Sequence, residues 1–289
     1  MEYCHECGRM RVAEVCEPDT CSGQSALGVS VKDRWLEVRP WKPADGSRLV
    51  PPATIAVCDP ATGRASVWDW EEQRYGSDVA AVAGGEASFA WIEVTTQCNQ
   101  TCRHCFMFER LRQGHVPLEQ LVSAICALER LPVRRLVLSG GEPTLHPNFH
   151  EVLAAALRAV RPVTVLSNGL RHSATLISAL RHPLVRVEVP LLGWEEAHDH
   201  MTGVPGSFQR ALAALKAYRE AGVRVVMTTT LTRYGYEALP RLKTLAETLG
   251  VPLEPSRLFP EGAAVANWEE LAPGQEPVMP GLKAQQVPA

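Results

Sequence analysis

From residue 88 onward, short runs of β-branched and aliphatic residues alternate with stretches whose apolar positions recur every three or four residues. The first pattern suits strands, the second helices with one apolar stripe. Six strands are predicted, at 90–95, 134–139, 162–167, 184–191, 223–231 and 251–258, with helices between them at 117–131, 147–160, 174–181, 207–221 and 237–249. Leu212, Leu215 and Tyr218 mark the stripe of one such helix. Pro117 and Pro147 suit first-turn positions, Ser173 and Ser207 suit N-caps, and Gly222 and Gly250 suit helix exits. Six βα units in right-handed succession make an α/β fold, a partial TIM-like (β/α)6 barrel rather than a closed eightfold one.

Residues 1–87 read differently. Cys4, Cys7, Cys16 and Cys21 fall within 18 residues, and segments broken by proline follow. Two β-rich arms around a Pro/Gly turn in 53–70 read as a hairpin. The expectation is a small, separate, cysteine-rich β-type module over 1–87, with the small residues of 80–87 as linker, and a core over 88–262. After Pro260 the chain is rich in Pro, Gly, Ala and Gln, so 263–289 is expected to be a loose tail.

Composition narrows the class. With 289 residues and 46% hydrophobic content the chain can build an ordinary globular core. A net charge of −3 provides no broad basic field, so a nucleic-acid partner is not indicated. No apolar run approaches the roughly 18 to 20 residues that cross a bilayer, and Met1-Glu2-Tyr3-Cys4 does not open a signal peptide. A cytoplasmic placement is therefore expected, where nine cysteines, eight of them before residue 106, favour metal ligation over disulfides.

Cys98, Cys102 and Cys105 follow the first predicted core strand at CxxxCxxC spacing, and Gly140-Gly141-Glu142-Pro143 follows the second. Three thiolates suit a cubic iron-sulfur cluster with one iron left open, since soft sulfur ligands select iron-sulfur and zinc and a fourth cysteine would close the site. The alternative is a zinc site completed by His104 or His115. A zinc knuckle, however, requires neither the preceding strand nor the Gly-Gly-Glu-Pro turn. Glycine at 140 and 141 permits close backbone approach to a ligand, and Glu142 offers an acceptor to a positively charged amine. With Ser167-Asn168-Gly169 after the third strand and 193–206 after the fourth, four loops converge on the mouth where such barrels place their sites.

With an aromatic ring, His104, before the last cysteine, and with Gly140 to Pro143 at the next strand end, the chain resembles the radical S-adenosylmethionine (SAM) superfamily. Residues 190–208 and 257–262 look like the branch that holds peptide-modifying maturases and the molybdenum-cofactor cyclase. The resemblance implies that Cys98, Cys102 and Cys105 hold a 4Fe-4S cluster whose fourth iron is chelated by SAM. It places Gly140, Gly141, Glu142, Pro143, Ser167 and Asn168 around SAM, although Ser-Asn-Gly is also good turn chemistry. It implies reductive cleavage of SAM to a 5'-deoxyadenosyl radical that abstracts hydrogen from substrate, an external flavodoxin- or ferredoxin-type reductant, and no catalytic group beyond cluster and SAM. The substrate reading is a peptide, with a small metabolite or cofactor precursor as the alternative; a non-catalytic metal-binding interaction protein is the rival from another class.

Cys4, Cys7, Cys16 and Cys21 supply four sulfur ligands, which suits a structural zinc or a second iron centre. Peptide-modifying relatives carry their auxiliary clusters after the barrel, whereas this chain has no cysteine beyond Cys126. Cys126, in an apolar helix, is expected as a buried small hydrophobe, and Cys58 is given no role. His198, Asp199 and His200 are expected in a solvated loop. Arg257 is expected to reach the SAM carboxylate or a substrate anion, or else to make an ion pair.

Overall fold

The computed structural model describes residues 54–273, apart from 60, 61, 63, 70, 71, 86, 87 and 161, together with the backbone of four short N-terminal strands. These are β1 (Glu2–Cys4) paired antiparallel with β2 (Arg9–Arg11), and β3 (Val29–Lys32) paired antiparallel with β4 (Trp35–Val38). Cys7, Cys16, Cys21 and the Cys4 side chain lie outside the described residues, and so does the metal site expected of them.

Three strands, β5 (Ile55–Asp59), β6 (Arg64–Asp69) and β7 (Arg74–Tyr75), lead through α1 (Val79–Ala83) into β8 (Phe89–Thr95). The chain then alternates: α2 (Leu118–Cys126), β9 (Leu136–Gly140), α3 (Phe149–Ala159), β10 (Val163–Leu166), α4 (Ala174–Leu180), β11 (Val185–Pro190), α5 (Glu196–Thr202) and α6 (Ser207–Glu220). It ends with β12 (Arg224–Leu231), α7 (Arg233–Leu249), β13 (Leu253–Arg257), α8 (Ala263–Ala266) and α9 (Trp268–Leu271). Strands β8 to β13 are parallel, each beside the next, which makes the expected six-stranded partial barrel. Among the described residues no helix is long and apolar enough to cross a membrane.

The period of two along β11 sets the layers. Val185, Val187 and Val189 are fully buried beneath the helices with Phe208, Leu215 and Tyr218, whereas Arg186, Glu188 and Pro190 face the inner side. At the sheet edge, Pro252 offers its carbonyl to Met227 of β12, so Pro255, at odd register, turns its ring nitrogen to the free edge. A missing N–H there blunts an otherwise pairable edge.

Four expectations differ from the structure. Strand β5 pairs antiparallel with β8, Ile55 opposite Ile92 and Cys58 opposite Phe89, so 54–75 extends the barrel sheet and is not a separate unit. Its Cys58 is fully buried with Phe89 and Val137 on the inner face, and part of the expected linker is helix α1, anchored by buried Val82 and Ala83. Residues 263–271 form α8 and α9 instead of a loose tail, because Ala264 and Leu271 bury themselves against Leu192 and Met201. Cys126 is exposed, since α2 turns Leu121, Ala124 and Ile125 inward and leaves 126 outside that stripe.

Helix boundaries also show why local signals err. Ser173 caps α4 by accepting the N–H of Leu176. At α6, Ser207 is the first helical residue, and the capping acceptor is Asp199, which takes the N–H groups of Gly206 and Phe208 and the hydroxyl of Ser207. A cap supplied from eight residues upstream carries no local signature.

Candidate active site

The cysteine loop leaves the end of β8 and is held from two sides by backbone hydrogen bonds. Thr101 and Arg103 donate to Thr202 and Met201 of α5, at 2.9 Å each. Ala263 of α8 donates to the carbonyl of Cys105 at 2.9 Å, and Cys105 closes a turn on Cys102 at 3.1 Å. Cys98, Cys102 and Cys105 are all partly exposed there, at the C-terminal end of the strand.

The loop after β9 lies directly on this one. Gly141 and Glu142 donate to the carbonyls of Thr95 and Gln97, both at 2.8 Å. A Cβ at Gly140, whose φ is +136°, would sit 2.3 Å from the Thr95 carbonyl oxygen. One at Gly141 would sit 2.4 Å from that of Gln97 and 2.9 Å from Cys98 Cβ. The immediate reason for both glycines is therefore contact between the two loops, rather than approach to a ligand as the sequence alone suggests.

Glu142 is buried and its carboxylate serves the protein. Oε1 accepts from the Thr144 amide and hydroxyl and from Ser167 Oγ, and Oε2 accepts from the amide of Asn168 at 2.7 Å. Burial raises its pKa, against the lowering effect of these donors. Pro143 opens the 3₁₀ turn that Glu142 caps. Asn168 in turn donates to Asn99 Oδ1 at 2.6 Å, which ties the Ser-Asn-Gly turn to the residue after Cys98. The predicted residues of all three loops thus form one hydrogen-bonded unit.

The donor set fits a thiolate-held cluster. Burial pushes the Cys98 thiol up and that of Cys105 up to about 12; burial raises Cys102 well above its ordinary range, and its neighbours Cys105 and Cys98 raise it further. Without a metal these thiols stay protonated, whereas a coordinating metal would deprotonate them outright. Among the described residues no three His, Cys, Asp or Glu side chains converge on one point as a single metal ion requires. In an iron-sulfur cube each thiolate takes its own iron, so the sulfurs need not converge. His104 has a buried Nδ1 without a hydrogen-bond partner, and burial lowers its pKa to about 4. His115 instead pairs with Thr95 Oγ1 through Nδ1 at 2.9 Å.

The histidine-rich stretch is not a solvated loop. His198 is 1% exposed within α5, and its Nδ1 accepts the amide of Leu192 at 3.0 Å. Asp199 caps α6, and His200 pairs with Glu270. Arg257 is exposed at the end of β13. Sequence reasoning missed the buried pair of Glu93 with Arg110, 2.7 Å apart, in which Glu93 also accepts the amide of Thr54. A charged residue inside the apolar run 90–95 was the available signal, because a charge there needs a partner.

The profile of the radical SAM superfamily matches residues 92–245. Mycofactocin maturase MftC of Mycobacterium ulcerans is 32% identical over 185 residues, 63% of this chain and 50% of that protein. AdoMet-dependent heme synthase of Methanosarcina barkeri is 29% identical over 174 residues, 59% of this chain and 50% of that one. The chain thus spans about half the length of these curated relatives. In fold it is similar to Streptococcus suis SuiB bound to S-adenosylmethionine, with a TM-score of 0.53 at 16% identity over 58% of this chain and 40% of that one. A family match over more than half of the sequence, on a six-stranded partial barrel with its cysteine loop at the first strand end, establishes that the chain belongs to the radical SAM superfamily.

Proposed function

We infer that this protein is a radical SAM enzyme acting on a peptide, with Cys98, Cys102 and Cys105 as the cluster ligands. The observation that carries the reading is the locking of the cysteine loop to the Gly140 to Pro143 loop through Gly141, Glu142 and Asn168. When bound, the 4Fe-4S cluster and SAM supply one-electron cleavage of the sulfonium and abstraction of a substrate hydrogen.

The chain's own residues do the rest. Cys98, Cys102 and Cys105 present thiolates from one loop, and the missing side chains of Gly140 and Gly141 let the neighbouring loop lie against it. Glu142, Ser167 and Asn168 fix the turn beside Cys98, where SAM would sit. Trp91 and Phe106, edge to face at 6.2 Å, put an aromatic pair next to Cys105 in the chain, with the Phe106 ring partly in solvent. A cytoplasmic flavodoxin- or ferredoxin-type protein would supply the electron.

The maturase relative supports a peptide substrate, and the heme synthase relative supports a cofactor precursor as second reading. Anaerobically reconstituted protein, given SAM and a chemical reductant, should form more 5'-deoxyadenosine when short ribosomally made peptides are added, with a mass change in the peptide. Stimulation by tetrapyrroles and not by peptides would replace the first reading with the second.

A further inference from the structure

Glu270 of α9 joins four elements at one carboxylate. Its Oε2 accepts Arg103 Nη2 at 2.6 Å and Nε at 3.2 Å, from the cysteine loop. Its Oε1 takes His200 Nε2 of α5 at 2.6 Å and the Tyr234 hydroxyl of α7 at 3.0 Å. The Arg103 hydrogen bond and then that of His200 hold the carboxyl down at about 2. A lone pair at this exposure would contribute little, but one carboxylate with four charge-assisted or hydroxyl donors forms a network.

The rest of the α8–α9 segment aims at the same backbone. Asn267 Nδ2 donates to the Arg103 carbonyl at 3.0 Å, and Ala263 donates to that of Cys105. A Cβ at Gly262 would lie 2.3 Å from the Cys105 carbonyl oxygen. Ala264 and Leu271, both fully buried, pack in the apolar cluster that includes the Cys102 side chain. With Met201 and Thr202 bonding the loop from α5, residues 101–105 are gripped between α5 and α8–α9. The gripping segment lies beyond the residues matched by the family profile, 92–245.

We propose that α8–α9 is a clamp on the cysteine loop and that Glu270 is its positioning residue, fixing Arg103 and with it the orientation of Cys102 and Cys105. The consequence for the cluster rests on the functional reading above; the clamp itself does not. Glu270 bonds to Arg103, His200 and Tyr234 rather than to a cysteine, and acts through the backbone that presents the sulfurs.

Hydrogen exchange of the cluster-free protein tests the clamp. Glu270→Gln and Asn267→Ala should each speed exchange of the 101–105 amides about tenfold, with the strands β8 and β11 unchanged and Glu269→Gln matching wild type. In reconstituted protein Glu270→Gln should also shift the electron paramagnetic resonance signal and midpoint potential of the cluster. Unchanged exchange at 101–105 in Glu270→Gln, or an equal rise throughout the barrel, would overturn the clamp. Wild-type protein that shows the protection but takes up no iron and sulfide would leave the clamp supported and overturn the functional reading instead.

Discussion

The carboxylate of Glu142 accepts the backbone N–H of Asn168 at 2.7 Å, a contact between the loops after two neighbouring strands. With Thr144 and Ser167 also donating, four polar hydrogens depend on one buried side chain. Glu142→Ala should therefore destabilise the cluster-free protein by about 3 kcal/mol in urea denaturation, with Glu142→Gln costing less. A midpoint within error of wild type for the alanine variant would show that these bonds are replaceable.

Glycine positions divide by what a methyl group would meet. Gly222 has φ +76° and open space, so Gly222→Ala should cost only about 1 kcal/mol of backbone strain. Gly140 combines φ +136° with the Thr95 carbonyl 2.3 Å away, and Gly140→Ala should cost roughly 3 kcal/mol or more. Equal thermal shifts for the two variants would contradict the close packing of the loops.

Glu93 and Arg110 form a buried pair near Cys105. Arg110→Met strands a buried carboxylate and should lose about 3 to 5 kcal/mol, whereas the double variant with Glu93→Gln should recover part of that loss. A double-mutant cycle in chemical denaturation reads the coupling. Additive losses would mean that the two side chains act independently.

The Glu270 junction carries a sign in its pH dependence. Its folded carboxyl is held at about 2, below an unfolded value of about 4.3, so it contributes stability above the unfolded value that is lost as pH falls through the folded one. The difference in Tm between wild type and Glu270→Gln should shrink as pH drops from about 5 toward 2. A difference that persists unchanged through that window would place the effect in packing rather than charge.

Local pattern made the parallel strands legible, because β8 to β12 are short runs rich in β-branched and aliphatic residues, and β13 follows the helix exit at Gly250. It also placed Cys98 to Cys105, Gly140 to Pro143 and Ser167 to Gly169 at adjoining strand ends. What it missed depends on partners far along the chain. The pairing of β5 with β8 joins Ile55 to Ile92, and the bond of Arg103 to Glu270 spans 167 positions. His198 reads as polar loop by type, yet a helix capped on Gly203 carries it into the core. Cys126 reads as buried by its neighbours, but its angular position on α2 turns it outward.

The triple alanine variant reads most directly whether Cys98, Cys102 and Cys105 hold a cluster that cleaves SAM. Anaerobically reconstituted wild type and the Cys98/Cys102/Cys105→Ala variant should be compared for iron, sulfide and 5'-deoxyadenosine formed from SAM with a chemical reductant. Wild type should form 5'-deoxyadenosine and the variant none, with the variant lower by about four irons per chain. Iron content and SAM cleavage that are equal in the two proteins would contradict that role.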